Sequence, residues 1–214
     1  KSKGNVIYAD DLVGAFGVDA VRYYVLHEIP YQQDGSLTYE LLIERINSDL
    51  ANVLGNLANR TISMVNKYFD GTVSNKKVTE SYDEELISMI HSLEAKVEKK
   101  MSTLEIGAAL DEIFEVLRRS NKYIDEATPW VLAKDENLRD RLETVLYNLL
   151  ESIRVCGIFL SPYLPDTSEK IKVQINNSKE IMDYLEDNSY TVGTPKALFM
   201  RIDKDKKLEE LEQK

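Results

Sequence analysis

Apolar residues recur three and four positions apart through most of this chain, the spacing that gathers them on one stripe of an α-helix. The longest stripe runs through Ile46, Leu50, Val53, Leu54, Leu57, Thr61, Met64 and Val65. Thr38, with Glu40 close behind, opens that helix, and the pattern carries it to about Phe69 before Asp70-Gly71 closes it. Upstream, Asp10-Asp11 cap a short helix that runs through Phe16 and ends at Gly17. Asp19 starts a second over 21–28, with Val21, Tyr24 and Val25 on its apolar side, and Pro30 stops it. Residues 31–37 read as a polar turn and 71–82 as a loop. Further helices are predicted over 83–101, 106–126, 137–159 and 167–175, the last two separated by Pro162 and Pro165. Around Gly193 and Pro195 the pattern turns extended over 190–202, and 203–214 is almost wholly charged, a solvated helix or linker. The predicted fold class is all-α. It is a helical bundle over 38–188, preceded by a small segment over 1–37 and followed by an extended segment and charged tail over 189–214.

The far side of the long helix changes this picture. It carries Arg45, Asp49, Asn52, Asn56, Asn59, Arg60, Ser63 and Lys67. Asparagine is a mediocre helix former that prefers caps and turns, so three on one face need a reason. Either the face is simply solvated, or its amides and guanidinium hydrogen-bond a ligand. The charge balance limits which ligand. With 27 Lys and Arg against 37 Asp and Glu, the net charge of −10 argues against indiscriminate nucleic-acid binding, which needs a basic footprint, but leaves room for a small specific site.

Composition narrows the class further. A chain of 214 residues that is 43% hydrophobic and 30% charged, with 9 Gly and 5 Pro, has the makeup of a soluble helix-rich protein large enough for a substantial core. No apolar run approaches the ~20 residues of a membrane span. The single cysteine, Cys156, excludes an internal disulfide; with only His27 and His91 beside it, no zinc site can be assembled, and a reducing cytoplasm fits. Both histidines fall in helical segments without a second ligand at metal spacing. Cys156 lies on an apolar stripe as a small hydrophobe. Phosphate loops, dinucleotide glycine motifs and nucleophile elbows are absent, and the acidic pairs at 10–11, 84–85 and 209–210 read as caps and solvated faces. Nothing here makes a complete catalytic site.

Trp130 is the sole tryptophan, next to Pro129 on an irregular connection. It is either a core residue or an exposed platform on which an unpaired base stacks. Joined to the asparagine and arginine face, an exposed Trp130 points to a reader of unpaired RNA bases.

Several blocks then agree in order and spacing. Lys1-Ser2-Lys3-Gly4-Asn5-Val6-Ile7 resembles the end of the KMSKS signature of class I aminoacyl-tRNA synthetases and its continuation. Asn47-Ser48-Asp49-Leu50, Asn56-Leu57-Ala58-Asn59-Arg60 and the run from Asn121 to Pro129-Trp130 resemble the methionyl-tRNA synthetase family, as do Ser161-Pro162-Tyr163-Leu164-Pro165 and Thr167-Ser168-Glu169-Lys170-Ile171. The resemblance implies that 1–37 is the end of the KMSKS loop and a stem-contact segment, and that the bundle binds the CAU anticodon of methionine tRNA. Asn56 and Arg60 match helix positions that contact anticodon bases, and Trp130 matches the aromatic that stacks on the first of them. Asn52 and Asn59 are secondary candidates, and Asn59 stands where relatives often have serine. Lys1 and Ser2 match the last two KMSKS positions, on the ATP side, where the lysine stabilises charge on transferring phosphates.

The start in mid-loop, without an initiator methionine, implies a C-terminal fragment of a methionine–tRNA ligase, an expression scar being the alternative. The ATP site, the methionine pocket and, in some relatives, a zinc knuckle would lie in a missing catalytic domain. This stretch is then expected to be inactive alone, to need no cofactor of its own, and to have its own catalytic domain and methionine tRNA as partners, with no membrane and no DNA. The tail resembles a linker that in some relatives leads to a further RNA-binding or dimerisation module. Two other readings stand beside this one: a helical module docking protein, and the anticodon-binding domain of another class I synthetase.

Overall fold

The computed structural model describes residues 7–30, 35 and 37–212. Helices α1 (Ala9–Phe16) and α2 (Val18–Glu28) meet at Gly17, whose φ of 85° is a conformation only glycine adopts without strain. Asp10 and Asp11 lie inside the first turn of α1 rather than capping it; Tyr8 holds the cap position without a side-chain bond. Their contribution is to the helix dipole. Most of the predicted turn over 31–37, like Lys1 and Ser2, lies outside the described residues.

The long helix predicted from Thr38 to Phe69 is three pieces. Thr38 caps α3 (Tyr39–Arg45) by accepting from the Leu41 N–H at 3.2 Å. A π-helical stretch follows, Ile46–Gly55, and then α4 (Asn56–Phe69). The wider π turn advances less than 100° per residue, so a face drawn at regular α spacing drifts across these ten residues. Asp49 records the drift. Placed on the polar face by the pattern, it is buried, 8% exposed, and accepts a 2.9 Å hydrogen bond from the Tyr23 hydroxyl. At the other end α4 closes as predicted, on Asp70 (φ 50°) and Gly71 (φ 86°) in succession.

The predicted loop after α4 contains β1 (Thr72–Ser74), which pairs antiparallel with β2 (Ser189–Thr191), Val73 opposite Tyr190. Between the strands lie α5 (Ser81–Ser102), α6 (Ile106–Ala127), the one-turn α7 (Pro129–Leu132), a 3-10 turn over Glu136–Leu138, α8 (Arg139–Leu160) and α9 (Pro165–Ile175). Pro129 does more than end α6: it opens α7, where its missing N–H goes unmissed. The charged tail forms α10 (Lys204–Glu212), which packs on α3 and sets Lys207 over the Phe16 ring.

Helix α8 is the centre, touching α4, α5, α6, α7, α9 and both strands. Its apolar stripe predicts an amphipathic helix, yet every residue from Thr144 to Leu160 is buried. The reason is the chain returning over 181–192 to cover its polar side. Glu151 accepts from two of the three Arg154 guanidinium nitrogens (2.7 and 3.2 Å), from the Leu185 N–H at 2.9 Å and from the Tyr190 hydroxyl at 2.5 Å, while Arg154 also donates to the Ile181 and Asp183 carbonyls. A second buried pair joins α8 to α5: Arg141 grips Asp83 at 2.6 and 2.7 Å, and the Tyr123 hydroxyl donates to the same carboxylate. Buried charges persist when paired in this way, and here, among the described residues, only the Arg141 Nε is left without a hydrogen bond in the two pairs.

Candidate nucleic-acid interface

The asparagines that opened the question sit where the π stretch becomes α4. Asn52, Asn56 and Asn59 are exposed, and among the described residues their amides have no hydrogen-bond partner. Of the three cations predicted on the same face, two are engaged. Arg45 pairs with Glu28 at 2.5 Å and faces Asp49 at 3.6 Å; burial works against its charge, but those carboxylates hold its pKa above the ordinary arginine value. Lys67 leans over the Tyr68 ring. Arg60 is half-buried and without an ion-pair partner among the described residues.

Asn52, Asn56 and Asn59 line one wall of an open cleft of about 1100 Å³, and Phe199 and Arg201 line the other. The far wall comes from the chain beyond β2, tied back by Asn47. Its amide donates to the Ile202 carbonyl and accepts from the Ile202 N–H, both at 2.8 Å. Gly55 faces the far wall at close range: a Cβ there would lie 3.1 Å from the Leu50 carbonyl oxygen of its own π stretch, a tight contact, and 3.8 Å from Phe199 backbone atoms, an ordinary one. Asn47 stood in a block that carries the family resemblance; Phe199 and Arg201 had no spacing signal, because they reach the site from 150 residues away.

Arg60 and Trp130 lie outside this lining. Trp130 is 42% exposed, which decides against the core reading. It rides on α7, and α7 and α4 are both backed by α8. Lys1 and Ser2 are outside the described residues. Elsewhere the polar candidates are structural. His27 places its two ring nitrogens 2.7 and 3.0 Å from Glu28 and Asp111, and His91 lies 2.6 Å from Asp183. Cys156 is enclosed, and burial pushes its thiol pKa well up. Among the described residues no group of three or more His, Cys, Asp or Glu is placed to hold a metal, so these side chains do not fit a zinc site.

Comparison with known proteins shows what kind of domain this is. The family model described as the anticodon binding domain of methionyl tRNA ligase matches residues 73–214. The chain belongs to that family. A second model, tRNA synthetases class I (M), matches 1–62 of the same methionyl-tRNA ligase chain. The methionine–tRNA ligase of Clostridium acetobutylicum is 50% identical over 216 residues, covering 99% of this chain and 34% of the relative. That of Caldanaerobacter subterraneus is 47% identical over 220 residues, with 100% and 34% covered. The chain thus spans about a third of the length of these curated relatives. Among solved structures, Mycobacterium tuberculosis methionyl-tRNA synthetase in complex with methionyl-adenylate superposes with a TM-score of 0.87 at 34% identity, over 92% of this chain and 40% of that one. Its apo form gives 0.85 at 33%, over 92% and 41%. The domain is therefore a methionyl-tRNA ligase anticodon-binding bundle, rather than a protein-docking module or the anticodon domain of another synthetase. Among the described residues no helix is long and apolar enough to cross a membrane.

Proposed function

We propose that this chain reads the CAU anticodon of methionine tRNA, as part of a cytoplasmic methionine–tRNA ligase that joins methionine to tRNA using ATP. The observation that carries the reading is the row of exposed amides at Asn52, Asn56 and Asn59, without hydrogen-bond partners among the described residues, in a chain of this family. An amide presents a donor and an acceptor side by side, which matches the edge of an unpaired base, and each well-placed bidentate contact discriminates bases by about 1–3 kcal/mol. Asn56 and Arg60 contact base edges, Trp130 supplies the stacking face, worth about 1–3 kcal/mol per base, and Asn52 and Asn59 flank them. Splayed single-stranded bases can meet such a surface in spite of the net charge of −10, because hydrogen bonds and stacking, not a field of cations, do the selecting. In the longer ligase, Lys1 and Ser2 would belong to the KMSKS loop on the ATP side, and adenylate chemistry and any zinc to its catalytic domain.

The sole tryptophan makes the test direct. A hairpin with CAU in its loop quenches Trp130 emission at a concentration at least about tenfold lower than a scrambled loop, one bidentate contact's worth of discrimination. Superimposable titrations of the two hairpins would overturn the reading.

A further inference from the structure

One of the three amides in the row, Asn52, stands on a π-helical stretch, an arrangement that is rarely more than a single turn and is not held by helix propensity. Its ladder still runs five residues back at its end, where the Asn56 N–H bonds the Ala51 carbonyl. Four-residue spacing takes over in α4. How far the stretch winds before that change sets the direction in which Asn52 points relative to Asn56 and Asn59.

One side chain from outside the ladder grips this junction. Asn121, half-buried on α6, donates its amide to the Val53 carbonyl at 3.1 Å and to the Leu117 carbonyl, in its own helix, at 3.0 Å. Val53 is the neighbour of Asn52 and lies three residues before Asn56. The Asn121 side chain does not line the cleft, and the hydrogen bond it makes to the π stretch goes to a backbone carbonyl. A single amide bridging two carbonyls 64 positions apart ties the π stretch to α6, which packs along α5.

We infer that Asn121 is a positioning residue for the base-reading face: through the Val53 carbonyl it holds the π-to-α junction in the rotation that presents Asn52 and Asn56 together to the anticodon. This rests on the function proposed above. A structural role alone would also cost stability on removal, so the test needs a control that loses the same bonds elsewhere. Asn66 supplies it. Its amide likewise donates to two carbonyls, Ile62 in its own helix at 3.0 Å and Gly193 across the fold at 2.9 Å, but it leaves the π stretch alone.

Asn121→Leu and Asn66→Leu, made in this chain, are each expected to lower the unfolding midpoint by about 2–4 °C, the cost of roughly one net hydrogen bond in a protein of this size. Well below that midpoint, Asn121→Leu loses about tenfold of the preference for the CAU hairpin over a scrambled one, and Asn66→Leu keeps it. Asn121→Ser, whose hydroxyl is a shorter donor, retains an intermediate preference and replaces the Leu variant if that fails to fold. An unchanged preference in folded Asn121 variants overturns the inference while leaving the proposed function standing. Equal losses in both Leu variants also overturn it, as a general effect of destabilisation. A parent chain that never distinguishes CAU brings down the proposed function itself, and the positioning role with it.

Discussion

Asn148 and Asn56 are the same side chain in opposite circumstances. Asn148, in α8, is 1% exposed; its amide donates to the Tyr123 hydroxyl at 3.0 Å and accepts from the Tyr184 hydroxyl at 2.6 Å. Asn56, at the head of α4, is exposed and has no partner among the described residues. The contrast extends to the charges. Arg154 and Arg141 are enclosed and paired with Glu151 and Asp83, whereas Arg60 has no ion-pair partner among the described residues. A buried polar group must be satisfied within the protein or it destabilises the fold, while a solvated one is satisfied by water and costs folding almost nothing. The buried network therefore reports on stability and the exposed row on recognition, and the two should respond to different perturbations.

The hardest blow to the buried side is Glu151→Ala. It leaves Arg154 charged and enclosed without its carboxylate, at a cost of about 3–5 kcal/mol, and lowers the unfolding midpoint by on the order of 10 °C. Calorimetry checks the loss; hairpin binding by the remaining folded protein is expected to keep its CAU preference. Alkali attacks the same region. Burial, with Asp49 beside Tyr23, Asp83 beside Tyr123 and Glu151 beside Tyr190, raises these phenols above their ordinary value of 10. A group held protonated in the fold adds stability in full below its unfolded pKa and loses it as pH rises further. Denaturant midpoints are thus expected to be flat in this respect up to about pH 10 and to fall above it.

The exposed side responds the other way round. Asn56→Ala and Arg60→Ala are each expected to weaken binding of the CAU hairpin by about 1–3 kcal/mol while shifting stability by no more than about 0.5 kcal/mol. A large drop in midpoint for either would move that residue to the structural side of the comparison. The smallest effect concerns salt. With few unpaired cations near the row among the described residues, the logarithmic salt slope of hairpin binding should be shallow, about −0.7 per phosphate contact, and Arg60→Ala should flatten it by about one such step if the guanidinium also meets a phosphate.

Helix existence and most helix ends were legible because their causes are local. Thr38 caps α3, Asp70-Gly71 turns α4 off, Pro129 separates α6 from α7, and apolar spacing marks α5, α6 and α8. Asn56, Arg60 and Trp130 were legible as a chemical set and as matches to family blocks, although only the structure shows that Trp130 is exposed. The π stretch was not legible, since its apolar residues fit regular α spacing. The side chain that reaches its backbone from outside is Asn121, whose partners come from its own helix and from 68 residues off. The polar residues of α8 were not legible for a related reason: Glu151 and Arg154 have the i, i+3 spacing of a surface pair, and only the segment over 181–192 closing over them buries them.

By itself, then, the sequence determined an all-α chain, the positions of its helices and the residue types able to read unpaired bases, because periodicity, capping and side-chain chemistry act over a few residues. Only the tertiary structure decided which polar residues are spent on holding the fold and which remain for a ligand. Asp49, Glu151 and Arg154 went inward; Asn52, Asn56 and Asn59 stayed out beside a wall formed by Phe199 and Arg201. That division depends on which distant segment covers which face, and no local pattern records it.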